Sequence, residues 1–144
     1  MSQTQTTKLR NAVIARLLSL GADSASKIGA VLNPVSVREA GNRPADPMRY
    51  AVMWTLPGRS LSVVGGKMRW QQSFSVDMPV KWSADAEDVC DRIRLELASV
   101  LSERLPGVIE QDLSEVEVLY PEEGSGYSVV SVTLGFTCIE SLTD

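Results

Sequence analysis

The sequence feature that most constrains this chain is the alternation from Lys67 to Trp82. Its even positions read Met68, Trp70, Gln72, Phe74, Val76, Met78, Val80 and Trp82, while its odd positions are polar, charged or proline. Side chains on a strand alternate between faces, so the pattern predicts one long strand with a buried even face and a wet odd face. A helix would scatter the same apolar residues around its circumference. At about 3.3 Å per residue such a strand reaches about 50 Å, whereas ordinary strands have about 5–6 residues. Part of it is therefore expected to bend, bulge or project past the body. Pro79 has no N–H and favours an edge position or a break near the strand's end.

Seen against this strand, the remaining 144-residue chain has room for one domain with a real core and not for two. An apolar content of 44% with 22% charged residues is that of a soluble globular protein. No run approaches the length of a membrane helix, and MSQTQTTKLR lacks the apolar core of a signal peptide. Cys90 and Cys138 fall on apolar faces and read as buried free thiols, consistent with synthesis in a cytoplasm.

Charge is unevenly distributed. Residues 1–82 carry eleven Lys/Arg and four Asp/Glu, giving +7, and residues 83–144 carry three and fourteen, giving −11. Either the opposite charges pair within one domain, or the basic side of one copy meets the acidic side of the next. Patches of the second kind favour head-to-tail contacts that close into rings.

In chain order, residues 1–6 are polar and expected to be flexible. Leu9, Val13, Leu17 and Leu20, with Ile14 and Leu18, give an amphipathic helix capped by Thr7 and Gly21. Ile28 to Glu39 reads as a strand interrupted by Pro34, and AGNRPADP at 40–47 as a loop. Tyr50, Val52, Trp54 and Leu56 form a second alternating run, ending at Pro57-Gly58. Leu61 to Val64 is a short segment closed by Gly65-Gly66, making residues 49–82 a meander with a glycine-rich tip. Ala86, Val89, Cys90, Ile93, Leu97, Val100 and Leu101 define a second helix over 84–105, capped by Ser83 or Asp85, with Arg104 in its last turn. Glu115–Tyr120 and Tyr127–Ile139 close the chain as a hairpin around PEEGSG. The expected fold is a single α+β domain in the order α-β-β-β-α-β-β, with two helices on one face of a mostly antiparallel sheet.

Little in the sequence points to chemistry. The chain has no histidine, which removes the usual general base and the commonest metal ligand. Two cysteines 48 positions apart make no zinc pattern. Gly65-Gly66-Lys67 lacks the remainder of a phosphate loop. Glu115, Glu117, Glu122 and Glu123 could gather a cation or could form a solvated acidic edge, which also discourages stray sheet pairing. Trp54 and Trp70 could stack on bases, but alternation places both with the core. No enzyme activity and no cofactor are expected.

The helix from Lys8 to Leu20, the long strands within 49–82, the helix 84–105 and the closing YSVVSVTLGFTCIE at 127–140 together resemble the tail terminator proteins of long-tailed bacteriophages. The resemblance is one of element order and size. It implies a structural virion protein without catalytic residues, assembled in the host cytoplasm and located at the head-proximal end of the tail. Its partners would be itself in a hexameric ring, the tail tube protein and the head–tail connector or neck, with DNA passing through unread and no membrane. The alternatives are a connector or neck completion protein, or a small nucleic-acid-binding module using the basic half. Candidate contact residues are Arg43, Arg49, Arg59, Leu61, Val64, Lys67 and Arg69 on the basic side, with Glu122 and Glu123 on the acidic side. Residues 57–69 are expected to form a projecting hairpin.

Overall fold

The alternation beginning at Lys67 becomes a single strand. A computed structural model describes residues 4–21, 23–33, 49–120 and 126–142. Its elements are α1 (Gln5–Leu18), β1 (Ile28–Leu32), β2 (Arg49–Thr55), β3 (Arg59–Val64), β4 (Lys67–Lys81), α2 (Ala86–Ser102), β5 (Val108–Leu119) and β6 (Tyr127–Ser141). The strands form one sheet in the order β1-β2-β4-β6-β5, and β3 also pairs with β4. Among the described residues only β1 and β2 pair in parallel. The fold is α+β as expected, with one strand more than the expected order because Arg59–Val64 is a full strand.

β4 pairs with β6 from Lys67↔Ser141 to Lys81↔Tyr127 without a register shift. In this register even residues face even residues, so Phe74, Val76 and Met78 share one face with Val130, Val132, Leu134 and Phe136. All seven are essentially inaccessible, and the Phe74 and Phe136 rings meet edge-on with centroids 6.0 Å apart. Leu9, Val13 and Leu17 of α1 and Cys90, Ile93, Leu97 and Leu101 of α2 cover that face. Burial of each large side chain is worth about 1.5–3 kcal/mol, so this one face supplies most of the driving force.

Several expectations are corrected. β4 neither breaks nor bulges. It ends at Lys81, and Trp82 lies beyond it, 44% exposed, its ring edge-on to Tyr120 at 6.2 Å. Pro79 is tolerated because the β2 ladder stops at Asp77, leaving β6 as the flanking strand there. In β2 the residues that enter the helix-covered core are Ala51 and Met53. Tyr50 and Val52 are buried on the opposite face, so the strand is apolar on both sides and its larger side chains misstate its parity. Trp54 sits opposite Ser75 on that helix-free face, not with the core.

The helix ends also differ. α1 begins at Gln5, within the segment expected to be flexible, because Thr4 is its cap: its hydroxyl accepts from the Thr7 N–H at 3.3 Å. The Gln5 N–H donates to Glu140 Oε2 at 3.0 Å, which places a carboxylate at the positive end of the helix. Leu18 is exposed, outside the buried stripe. β5 starts at Val108, ahead of the expected Glu115, because bulges between Val108 and Glu110 and between Leu113 and Glu115 shift its parity and erase the alternation. Of the strand expected over 28–39, β1 covers Ile28–Leu32; residues 34–39, the loop 40–47 and residues 121–125 of the expected turn lie outside the described residues.

α2 is shorter than expected at both ends, and Arg104 follows it instead of closing its last turn. Its final carbonyls are met from elsewhere. Arg16 of α1 donates to the carbonyls of Val100, Glu103 and Arg104, and Gln111 of β5 donates to those of Leu101 and Glu103. A guanidinium at the negative end of a helix both satisfies orphan acceptors and opposes the dipole. Arg16 thereby ties α1 to α2. Replacement by alanine should lower stability by about 1–3 kcal/mol, the range for hydrogen bonds to charged groups, measurable by urea denaturation. An unchanged midpoint would show that water caps α2 equally well.

Glu96 makes a second tie, accepting the N–H groups of Ala25 at 2.9 Å and Ser26 at 3.0 Å. Partial burial pushes its carboxyl up, but the hydrogen bonds from Ser24 to Ser26 outweigh this and hold it below the ordinary glutamate range. The folded state then binds the proton less readily than the unfolded chain. The resulting stability is fully present above the unfolded glutamate value of about 4.3 and is lost as pH falls through the lowered folded value. Glu96→Gln should be less stable than the parent at neutral pH and lose less stability between neutral and strongly acid pH. Parallel pH–stability curves would refute the assignment.

Candidate functional site

Gly65 and Gly66 have φ of 60° and 75°, the left-handed pair that a two-residue type I′ turn requires and that glycine adopts without a Cβ clash. They join β3 to β4 through Val64↔Lys67. The core cluster draws on every helix and every strand except β3, all six of whose residues are exposed. Leu61 is 45% exposed, Val63 54% and Val64 75%. A bulge between Ser60 and Ser62 leaves Leu61 unmatched across the ladder. β6 follows the hairpin to its tip, where the Leu142 N–H donates to the Gly66 carbonyl at 2.9 Å.

The base of the hairpin is built differently from its tip. Gln72 is the one polar residue in the even series of β4, and it is buried. Its amide donates to the carbonyls of Leu56 at 2.7 Å and Ser73 at 3.1 Å, and its oxygen accepts from Trp70 Nε1 at 3.2 Å and Thr6 Oγ1 at 3.1 Å. These bonds bring the kink between β2 and β3, the Trp70 indole and the start of α1 to one point. Trp70 packs partly buried against the core, as expected. Its ring lies against Gly58, where an added Cβ would sit 2.6 Å from Gln72 Oε1 and 2.8 Å from Trp70 Cε2.

The structure brings together five of the candidate contact residues: Arg59, Leu61, Val64, Lys67 and Arg69. Arg59 Nε donates to Gln71 Oε1 at 2.8 Å, and Lys67 is exposed at the turn. Arg69 reaches across β6 to Glu110 Oε1 at 3.4 Å, so its charge is shared with its own domain. Arg49 stands apart. Its Nη1 donates to the Ala25 carbonyl at 2.7 Å, and it holds the entry to β1. Arg43, Glu122 and Glu123 lie outside the described residues. The sequence reading missed Ile139 and Leu142, exposed near the same tip; Ile139 falls on the odd, wet parity of β6, which was the available signal.

On the helix-free face Glu115 and Glu117 lie opposite Thr133 and Ser131. A hydrogen bond and the like charge of Glu115 push the Glu117 carboxyl up. Among the described residues no group of three or more potential ligands could hold a metal ion. Gln71, Glu110, Gln111, Asp112, Gly135 and Thr137 line an open polar depression nearby that holds no nucleophile paired with a base. Burial pushes both cysteine thiols up, away from the reactive thiolate. No described helix is long and apolar enough to cross a membrane.

No family model matches this chain, and no curated protein matches it. One solved structure is 16% identical in sequence, with a match that covers 90% of this chain and 94% of that one and a TM-score of 0.49.

The hairpin base yields a test of its rigidity. Gly58→Ala forces a methyl into the indole and should destabilise the protein by about 1–3 kcal/mol, as overpacking does. Trp70 fluorescence should shift as the ring is displaced. An unaltered spectrum and melting temperature would mean the hairpin base yields freely.

Proposed function

We propose that this chain is a non-enzymatic assembly protein, a phage tail terminator whose copies form a ring at the head-proximal end of the tail. In this reading the ring joins the tail tube protein to the head–tail connector, and DNA passes through it without being read. The observation that carries it is the β3–β4 hairpin. Its tip exposes Leu61, Val63 and Val64 beside Arg59 and Lys67, and among the described residues β3 supplies none of the core. Exposed apolar side chains beside a charged rim are the usual form of a docking surface. The element order supports the same reading through its likeness to tail terminators, and the absence of histidine and of a catalytic constellation among the described residues weighs against an enzyme.

Light scattering on the purified chain tests the ring directly, since a hexamer has six times the 15.7 kDa of the subunit. Replacing both Leu61 and Val64 with serine should leave the melting temperature of the subunit within a few degrees, because neither residue is in the core. The same variant should fail to assemble or to join tails. A marked loss of subunit stability would mean the tip belongs to the core, and a parental chain that stays monomeric at every concentration would refute the ring.

A further inference from the structure

β3 and β5 lie on the two opposite sides of the sheet, and among the described residues neither has a strand on its outer side. An outer row of backbone N–H and C=O groups is a template for another strand. Natural edges are defended by bulges and charge, and both strands have them: one bulge in β3 and two in β5. Their charges differ in sign. β3 carries Arg59 and no acidic residue, with Lys67 and Arg69 next to it on β4. β5 carries Glu110, Asp112, Glu115 and Glu117 and no basic residue. Both strands also expose apolar side chains, Leu61, Val63 and Val64 on the first and Ile109, Val116 and Leu119 on the second.

We propose that β3 of one copy pairs edge to edge with β5 of the next, so that the sheet continues from subunit to subunit around the ring. This rests on the ring reading and specifies its contact. Strand direction is compatible. β3 runs antiparallel to β4, β6 antiparallel to β4, and β5 antiparallel to β6, so β3 and β5 of one copy point in opposite directions. Copies related by a modest rotation therefore meet as antiparallel strands.

Facing also agrees. Arg59 lies across from Gln71, on the same helix-free face as Glu115 and Glu117. A guanidinium brought to that pair would offset the like charges of Glu115 and Glu117, which lie two residues apart on one face. Pairing of β3 with β3, or of β5 with β5, would set like charges against each other, which disfavours a two-fold dimer and selects the head-to-tail contact. The closing two-residue turn makes Val64 and Lys67 a hydrogen-bonded pair. The N–H of Val63 consequently points to the outer edge, where a neighbour's carbonyl would accept it.

Arg59→Glu and Glu117→Arg each reverse one side of the contact, and Val63→Pro removes the outward donor while leaving the inner ladder whole. Each single variant should keep the parental far-ultraviolet circular dichroism and raise the dissociation constant for self-association at least about tenfold. The Arg59→Glu/Glu117→Arg double variant should recover most of the parental affinity. Rings that form with parental affinity in all three single variants would overturn the edge pairing and leave the ring reading standing. Loss in both charge variants without recovery in the double variant would equally overturn it. If the parental chain never self-associates, the ring and the edge pairing fall together. Should Val63→Pro alone unfold, the charge exchange still decides.

Discussion

The pairing of β4 with β6 is the contact on which the other contacts in this fold rest. Fifteen residues of each strand run side by side without a register shift, so two alternating sequences fall into phase. A slip of one residue would turn Phe136, Leu134 and Val132 to the helix-free side and set polar side chains against α2. The register is held because the loss would extend along the whole strand. Once it is set, the two helices have one apolar surface to cover, and the edge strands have a frame on which to add.

The helices are held by different means at their two ends. Their apolar stripes give burial without fixing position along the sheet. Position comes from polar ties of long sequence separation: Arg16 to the end of α2, Glu96 to the link before β1, and Glu140 to the start of α1. Each joins a charged side chain to backbone groups that a helix end or a link leaves unmatched. Gln72 does the same work where the body ends and the hairpin begins. Beyond that point β3 exposes Leu61, Val63 and Val64 beside Arg59 and Lys67.

Such a surface is consistent with the proposed role in assembly. A subunit that contributes a pre-folded hairpin loses little conformational entropy on docking, since the type I′ turn and the buried base already restrict it. The acidic β5 on the far side gives the molecule two unlike ends, which is the geometry a closed ring of identical subunits needs. The helix-free face between them is hydroxyl-rich, with Asp77 bonded to Ser131 at 2.6 Å.

The local pattern alone was enough for the long strand, the buried faces of α2 and β6, the glycine turn and the α+β class, because burial on one side of a regular element writes its period into the sequence. Arg59, Leu61, Val64, Lys67 and Arg69 could be named as a group for a related reason: a strand that long outreaches the domain, and its tip combines glycines, charge and apolar residues. Where period fails, the sequence falls silent. The bulges of β5 shift its parity, the two buried faces of β2 conceal which one meets the helices, and β4 ends at Lys81, one residue before the alternation does. The caps supplied by Arg16 and Gln111, the bond of Arg49 to the Ala25 carbonyl away from the hairpin, and the meeting of Gln72, Gly58 and Trp70 depend on residues far apart in the chain. Only the tertiary structure decides these, because a hydrogen-bond partner is chosen by position in space and leaves no periodic trace in either sequence segment.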